Sequence, residues 1–341
     1  MIHLFHVSSN FQLLVVEFII DSKKIALDDI FFITSRKLTL PEPFDNRLFY
    51  DNSNNDMMDR LRFYRSNGNK IDSLLSKNRV CAYFPFSHFF PSFPLYDEYA
   101  FFEEGFSAYD TVRFDSHYSN RIREFVKKVV VDLLLPLRKK NIKGFVTGVS
   151  SANPNPIRST FYRISSDAYT VFENETKLQF ETLKIGHVNK SLSEEIQDAN
   201  ILVMDRLTSE GRPFEKGNYL RCLSEMVGEH LDKSDRIFIK YHPADFDNPQ
   251  ARAEVEEALP DFHLETIDSN LEWLALSNCR NIFWGFNSTT LYYAPILGDT
   301  NKSVSFVRKL AGIDSKYADF LMQWGGIERF CEIFGKQVKC L

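Results

Sequence analysis

Apolar and polar positions fall into short blocks along the chain, and the period of those blocks switches repeatedly. IHLFHV (2–7) is a compact apolar run that reads as a strand, Ser8-Ser9-Asn10 interrupts it, and FQLLVVEFII continues with a pattern suited to a helix. IFFIT (30–34) reads as a second strand, and residues 41–56, with Pro, Asn and Asp, as loop. MDRLRFYRS and KIDSLLSK give two short helical patterns. VCAYF (80–84) and YAFF (99–102) read as strands around an aromatic, Pro-broken loop, PFSHFFPSFPLYDE. RIREFVKKVVVDLLLPLRKK (121–140) reads as a helix that Pro136 ends or kinks, and GFVTGV (144–149) as a further strand.

A second, more regular series begins near residue 200. Strand ILVMD (201–205) precedes a loop with Gly211 and Gly217 and the helix YLRCLSEMVGEHL (219–231). Then come strand RIFIKY (236–241), helix QARAEVEEAL (250–259), strand FHLET (262–266), helix NLEWLALS (270–277) and strand NIFWGF (281–286). Asn287-Ser288 can cap a final helix, TTLYYAPIL. Such alternation implies parallel sheet covered by helices. The pattern therefore predicts two α/β lobes, one over 1–185 and one over 186–341, divided within 160–198, where periodicity is weakest. C-terminal helices are expected to pack back on the first lobe.

Composition narrows the function. At 341 residues the chain accommodates roughly two domains. A net charge of −5 argues against a dedicated nucleic-acid binder, whose footprint is usually basic. No apolar run is long enough to span a bilayer, and the N-terminus lacks a basic n-region and a cleavage site of signal-peptide type. Cys81, Cys222, Cys279, Cys331 and Cys340 form no C-x-x-C pair, which points to reduced thiols in a cytoplasmic protein. G-x-G-x-x-G, Walker and G-x-S-x-G motifs are absent, so nothing favours a dinucleotide oxidoreductase, an NTPase or a serine hydrolase of those types.

Ligands of open α/β lobes bind at the carboxyl ends of strands, and three segments stand there. Glu103-Glu104-Gly105 follows YAFF; adjacent carboxylates beside a flexible glycine suit a general base, and a solvated acidic turn would read the same. His242-Pro243 closes IFIKY, with Lys240 on the same strand face. A histidine there can donate to a phosphate and offset charge on a leaving group, or simply be satisfied by backbone. Gly285, then Asn287, Ser288, Thr289 and Thr290 at a helix start, offer N–H groups and hydroxyls to an anion, or only an ordinary cap. Asp245 and Asp247 have the D-x-D spacing of metal-dependent transferases but read as solvated acids. The basic residues around VVVDLLL suit either a membrane-surface helix or a buried amphipathic one with a solvated basic face.

The three segments, in this order, resemble the bacterial sialyltransferases, which share a D/E-D/E-G motif, an HP motif and a Ser/Thr-rich motif. The wording is most similar to the capsular polysialyltransferase-like branch: the acidic motif runs on to Tyr109, Ile239-Lys240-Tyr241 precede His242, and Leu291 to Leu297 follow the Ser/Thr motif. Lipooligosaccharide sialyltransferases show a similar order. Ser288-Thr289-Thr290 departs from the family's consecutive serines. The resemblance implies a GT-B architecture, two Rossmann-like lobes with a cleft between them, the first binding the glycan acceptor and the second CMP-sialic acid. It implies inverting transfer without a metal or other cofactor. Glu104, the acid next to Gly105, would be the base, with Glu103 as the other candidate. His242 would hydrogen-bond the CMP phosphate, with Pro243, Lys240, Gly285, Ser288, Thr289 and Thr290 completing the donor site. The aromatic loop 83–96 can supply stacking surfaces for acceptor sugars.

The expected product is bacterial surface polysaccharide: O-antigen, lipooligosaccharide or capsule. The expected partners are a CMP-sugar and a glycan or lipid-linked oligosaccharide, with peripheral contact at the inner face of the inner membrane. Two alternatives stand beside this one: transfer of another CMP-activated acid, such as Kdo or legionaminic acid, and a non-catalytic glycan-binding subunit of an assembly complex.

Overall fold

The computed structural model describes residues 1–34, 48–50, 67, 71, 78–86, 90–103, 105, 144–149, 160–165, 179–185, 196–208, 210–242, 244–267, 271–276 and 279–341, with backbone alone at 48–50, 86, 90–95, 144–149, 272 and 273. The chain divides into two compact units, Met1–Gly186 and His187–Leu341. The 121–140 helix reading, MDRLRFYRS and most of KIDSLLSK lie outside the described residues.

The first unit is built on a seven-stranded, all-parallel sheet: β1 (Ile2–Val7), β2 (Ile30–Thr34), β3 (Leu48–Tyr50), β4 (Val80–Phe86), β6 (Glu98–Glu103), β8 (Thr160–Arg163) and β9 (Gln179–Thr182), in the order β3-β2-β1-β4-β6-β8-β9. Its central strands are mostly apolar because a parallel sheet is covered on both faces, whereas edge strand β9 is largely polar and partly exposed. Phe5, Phe32, Phe84, Phe102 and Phe161 are fully buried, with Phe5 stacked on Tyr83 at 4.3 Å and His6 on Phe84 at 4.2 Å. Helix α1 (Asn10–Lys23) starts where the Ser9 hydroxyl accepts from Gln12 N–H. It ends on Lys24 in the left-handed region.

Two expectations are corrected here. The aromatic segment is not a loop, because Phe90–Leu95 forms β5, paired antiparallel with β7 (Gly144–Val149) in a separate two-stranded sheet. In a two-stranded sheet each strand is an edge, which is where prolines such as Pro91 and Pro94 are tolerated. The weakly periodic region after 160 carries β8 and β9, and residues 48–50 carry β3; at three or four residues these strands are too short to declare a period.

The second unit follows the predicted series closely: β10 (Asn200–Val203), α2 (Lys216–His230), β11 (Ile237–Lys240), α3 (Pro249–Ala258), β12 (Leu264–Thr266), α4 (Leu271–Leu276), β13 (Ile282–Gly285), α5 (Thr289–Leu297) and β14 (Lys302–Ser305). Helices α6 (Val307–Ile313), α7 (Ser315–Met322) and α8 (Ile327–Phe334) lead to β15 (Lys339–Cys340). The parallel order is β12-β11-β10-β13-β14-β15. Asparagines close its amino edge: Asn281 Oδ1 accepts from Ala199 N–H at 3.0 Å, and Asn301 Oδ1 from Asn281 N–H at 3.2 Å. Buried Asp314 caps α7 and accepts from Glu215 N–H at 2.7 Å, fastening the entrance of α2 to the C-terminal helices. Among the described residues no helix is long and apolar enough to cross a membrane. None of the five cysteines forms a disulfide.

Candidate functional site

Parallel pairing places every strand's exit on one edge of its sheet, so the segments after β10, β11 and β13 are neighbours. In register, Val203 faces Lys240 on one side and Gly285 on the other, and Met204 N–H donates to the Lys240 carbonyl at 3.0 Å. His242 and the Asn287–Thr290 segment therefore leave the sheet on either side of the β10 exit.

His242 is half-buried. Its Nδ1 accepts from Ala244 N–H at 3.1 Å, and its carbonyl accepts from Asp245 N–H at 2.8 Å. An accepting Nδ1 puts the proton of the neutral ring on Nε2, which makes that nitrogen a donor. Pro243 lies outside the described residues. The Lys240 ammonium lies 3.5 Å from the Ile267 carbonyl and 5.6 Å over the Phe246 ring, on the β12 side of β11.

Gly285 ends β13 against β10. A Cβ there would sit 2.7 Å from the Val203 carbonyl oxygen and 3.3 Å from Leu291 Cδ1, so close strand and helix packing demands glycine. Ser288 caps α5, its Oγ accepting from Thr290 N–H at 3.3 Å. Thr289 is half-buried and Thr290 buried. The carbonyl of Phe286, just before this turn, accepts from the Ser305 hydroxyl. The helix start, with its dipole, opens at the carboxyl edge, a position suited to an anion.

The acidic motif divides. Glu103 ends β6 with no solvent exposure, and its Oε2 accepts from Ile164 N–H at 2.6 Å, joining the exits of β6 and β8. It is not a solvated acid. Glu104 lies outside the described residues. Gly105 has φ 141°, a conformation that costs a side-chain-bearing residue dearly, which gives the motif's glycine a backbone reason.

The reading of the D-x-D pair as solvated acids is corrected for Asp245, which is 1% exposed. Its carboxylate accepts from Leu207 N–H at 2.5 Å and from the Thr208 hydroxyl. Asp247 is exposed. Among the described residues no group of three or more His, Cys, Asp and Glu side chains is placed to hold a metal ion.

Asp205, directly after β10, had no place among the sequence candidates. Tyr219, fully buried on α2, accepts from Asp205 N–H at 3.0 Å. Asp205 Oδ2 is shielded from solvent without a hydrogen-bond partner among the described residues, and burial pushes the carboxyl up to about 7. The available signal was position alone: an acid at the carboxyl end of an apolar strand.

No protein-family model matches the chain, and no curated protein sequence does. Solved structures do. The fold is similar to that of a sialyltransferase from Photobacterium damsela, with TM-score 0.50 and 12% identity over 100% of this chain and 81% of that one. It is similar to a protein described as a UDP-N-acetylglucosamine 2-epimerase from Listeria monocytogenes, with TM-score 0.51 and 9% identity over 97% and 90%. WaaG, a glycosyltransferase involved in lipopolysaccharide biosynthesis, aligns with TM-score 0.42 and 12% identity over 95% and 84%. At such identities the likeness is one of fold: two parallel-sheet, Rossmann-like α/β units of the GT-B class.

Proposed function

We propose that the protein is an inverting glycosyltransferase that moves sialic acid from CMP-sialic acid to a glycan acceptor, a galactoside of bacterial surface polysaccharide. The observation that carries this reading is the pairing, on one sheet edge, of a histidine with its Nε2 as donor and a serine-capped helix start. Both are neutral or dipolar donors. A nucleoside monophosphate leaves as an anion, so donors that stabilise its charge lower the barrier without a protonating acid. The fold likeness to a sialyltransferase supports the same class, and the order of the three sequence motifs supports the donor.

In this mechanism the second unit holds CMP-sialic acid by its phosphate. His242 Nε2–H and the Ser288–Thr290 turn meet the phosphate oxygens, while Glu104 takes the proton of the attacking acceptor hydroxyl. The acceptor oxygen attacks the anomeric carbon as the bond to CMP breaks, inverting that centre. Glu103 is left with a positioning part, fixing the end of β6.

The motifs address the CMP more than the sugar, so another CMP-activated acid such as Kdo is the second reading. Pure protein incubated with CMP-sialic acid, CMP-Kdo and UDP-sugars in turn, with a galactoside acceptor and product mass as readout, separates the two. Sialylated product is expected. Transfer from a UDP-sugar alone, or nucleotide binding without turnover of any donor, would overturn the proposal, the latter in favour of a non-catalytic subunit.

A further inference from the structure

The order of strands in the second unit reverses at its centre. From β10 the chain builds outward through β11 and β12, then returns to the other side of β10 for β13 and β14. In open α/β sheets the segments leaving the two strands at such a reversal part to opposite faces and leave a crevice at their carboxyl ends. Here those segments are Met204–Thr208 after β10 and Phe286–Ser288 after β13. The second belongs to the site already described, and the first does not.

Met204–Thr208 is held tightly on both sides of one residue. Asp205 N–H donates to Tyr219 Oη at 3.0 Å, Leu207 N–H donates to Asp245 at 2.5 Å, and the Leu207 side chain is buried. Between them Arg206 is exposed, and its guanidinium makes no hydrogen bond or ion pair among the described residues. The holding group is unusual in kind. Asp245 is a carboxylate with almost no exposure, satisfied by a neutral N–H and a neutral hydroxyl. Burying a carboxylate costs free energy that such donors repay only in part, so a well-packed apolar residue would stabilise this spot better. What the carboxylate provides instead is position. Its own backbone is bonded to His242, since Asp245 N–H donates to the His242 carbonyl at 2.8 Å. One residue thus ties the β10 exit to the histidine turn.

We infer that Met204–Thr208 is a third wall of the donor site, in which Arg206 binds the phosphoryl group of the nucleotide and Asp245 is a positioning residue that holds Arg206 beside His242. This rests on the reading of the second unit as a nucleotide-sugar site. A guanidinium suits the task because its fork of donors matches phosphate oxygens in pairs.

The test is calorimetric titration of the full chain and of the R206A, R206K, T208V and D245N variants with CMP, UDP and cytidine. Hydrogen exchange at the Leu207 amide is followed in parallel. Loss of a charge-assisted contact predicts that R206A binds CMP about 10- to 100-fold more weakly with cytidine affinity unchanged, and that R206K recovers part of the loss. T208V removes only an exposed residue's hydroxyl, so the fold is kept. It should weaken CMP binding about 3-fold and speed Leu207 exchange, an effect of roughly one neutral hydrogen bond. D245N should do the same more strongly. R206A binding CMP as tightly as wild type would overturn the role of Arg206. T208V and D245N that exchange faster at Leu207 yet keep full CMP affinity would reduce Asp245 to a purely structural part. Wild type that binds UDP but not CMP defeats the CMP-sugar reading while Arg206 is still judged on UDP; wild type that binds neither defeats both.

Discussion

The carboxyl edges of the two sheets use acidic and polar residues in opposite ways. In the first unit, Glu103, Gln12 and Arg163, at or beside described strand exits, close hydrogen bonds within the protein. Glu103 accepts from Ile164 N–H, and buried Gln12 accepts from Ser8 through both N–H and hydroxyl. Arg163 Nε donates to Thr182. In the second unit the same level of the sheet carries a histidine oriented by its own turn, a serine cap, an exposed arginine and an acid with a buried, unpaired oxygen. Two sheets of one architecture thus differ in what their edges are prepared to meet. An edge whose hydrogen bonds close within the protein is a joint. Under the proposed function, the second edge is the one that meets the nucleotide.

Three measurements press on that contrast. The largest effect belongs to the second edge: His242→Ala should lower sialyl transfer about 100-fold or more while leaving the melting temperature nearly unchanged, the scale of a lost charge-stabilising donor. Near-wild-type turnover in folded His242→Ala protein would remove that edge from the chemistry.

Next in size is the first edge. Glu103→Ala strands the Ile164 N–H in a buried place, which costs about 1–3 kcal/mol and should appear as a lower melting temperature. Glu103→Gln keeps an acceptor and should restore most of it. If instead Glu103→Gln folds as wild type and abolishes transfer, Glu103 is a base and not a joint.

The last measurement concerns Asp205 and has the opposite sign. Its folded-state carboxyl titrates near 7, above its unfolded value of about 3.9, so the native state binds the proton more tightly between those limits. Stability contributed by this group is therefore present at low pH and lost as pH rises toward 7. Asp205→Asn carries no such proton. Above pH 7 its melting temperature should exceed that of wild type, and the two should converge below pH 4. A difference independent of pH would show that the unpaired oxygen is not the cause.

Much of the second unit was legible in the chain because its helices are long enough to declare a period and so mark off the short apolar strands between them. QARAEVEEAL, YLRCLSEMVGEHL and the Asn287-Ser288 cap each announce themselves within a few residues, and each has its helix in the structure. The first unit was legible only in its most apolar strands. Phe90–Leu95 carries prolines that argue against a strand until its partner Gly144–Val149 is known, and β8 and β9 are four residues long. The fold class and the placement of His242 and Ser288 at strand exits followed from local pattern.

What the chain could not declare was the fate of its acids. Glu103, Asp205 and Asp245 all follow apolar strands, yet one joins two strand ends, one is left with an unpaired oxygen, and one ties two turns together. Spacing along the sequence sets the period of an element and where it ends, because those depend on neighbours within a turn or two. The burial of a carboxylate and its hydrogen-bond donors come from residues tens of positions away. They are fixed only when strand order brings Ile164 to Glu103 and Leu207 to Asp245.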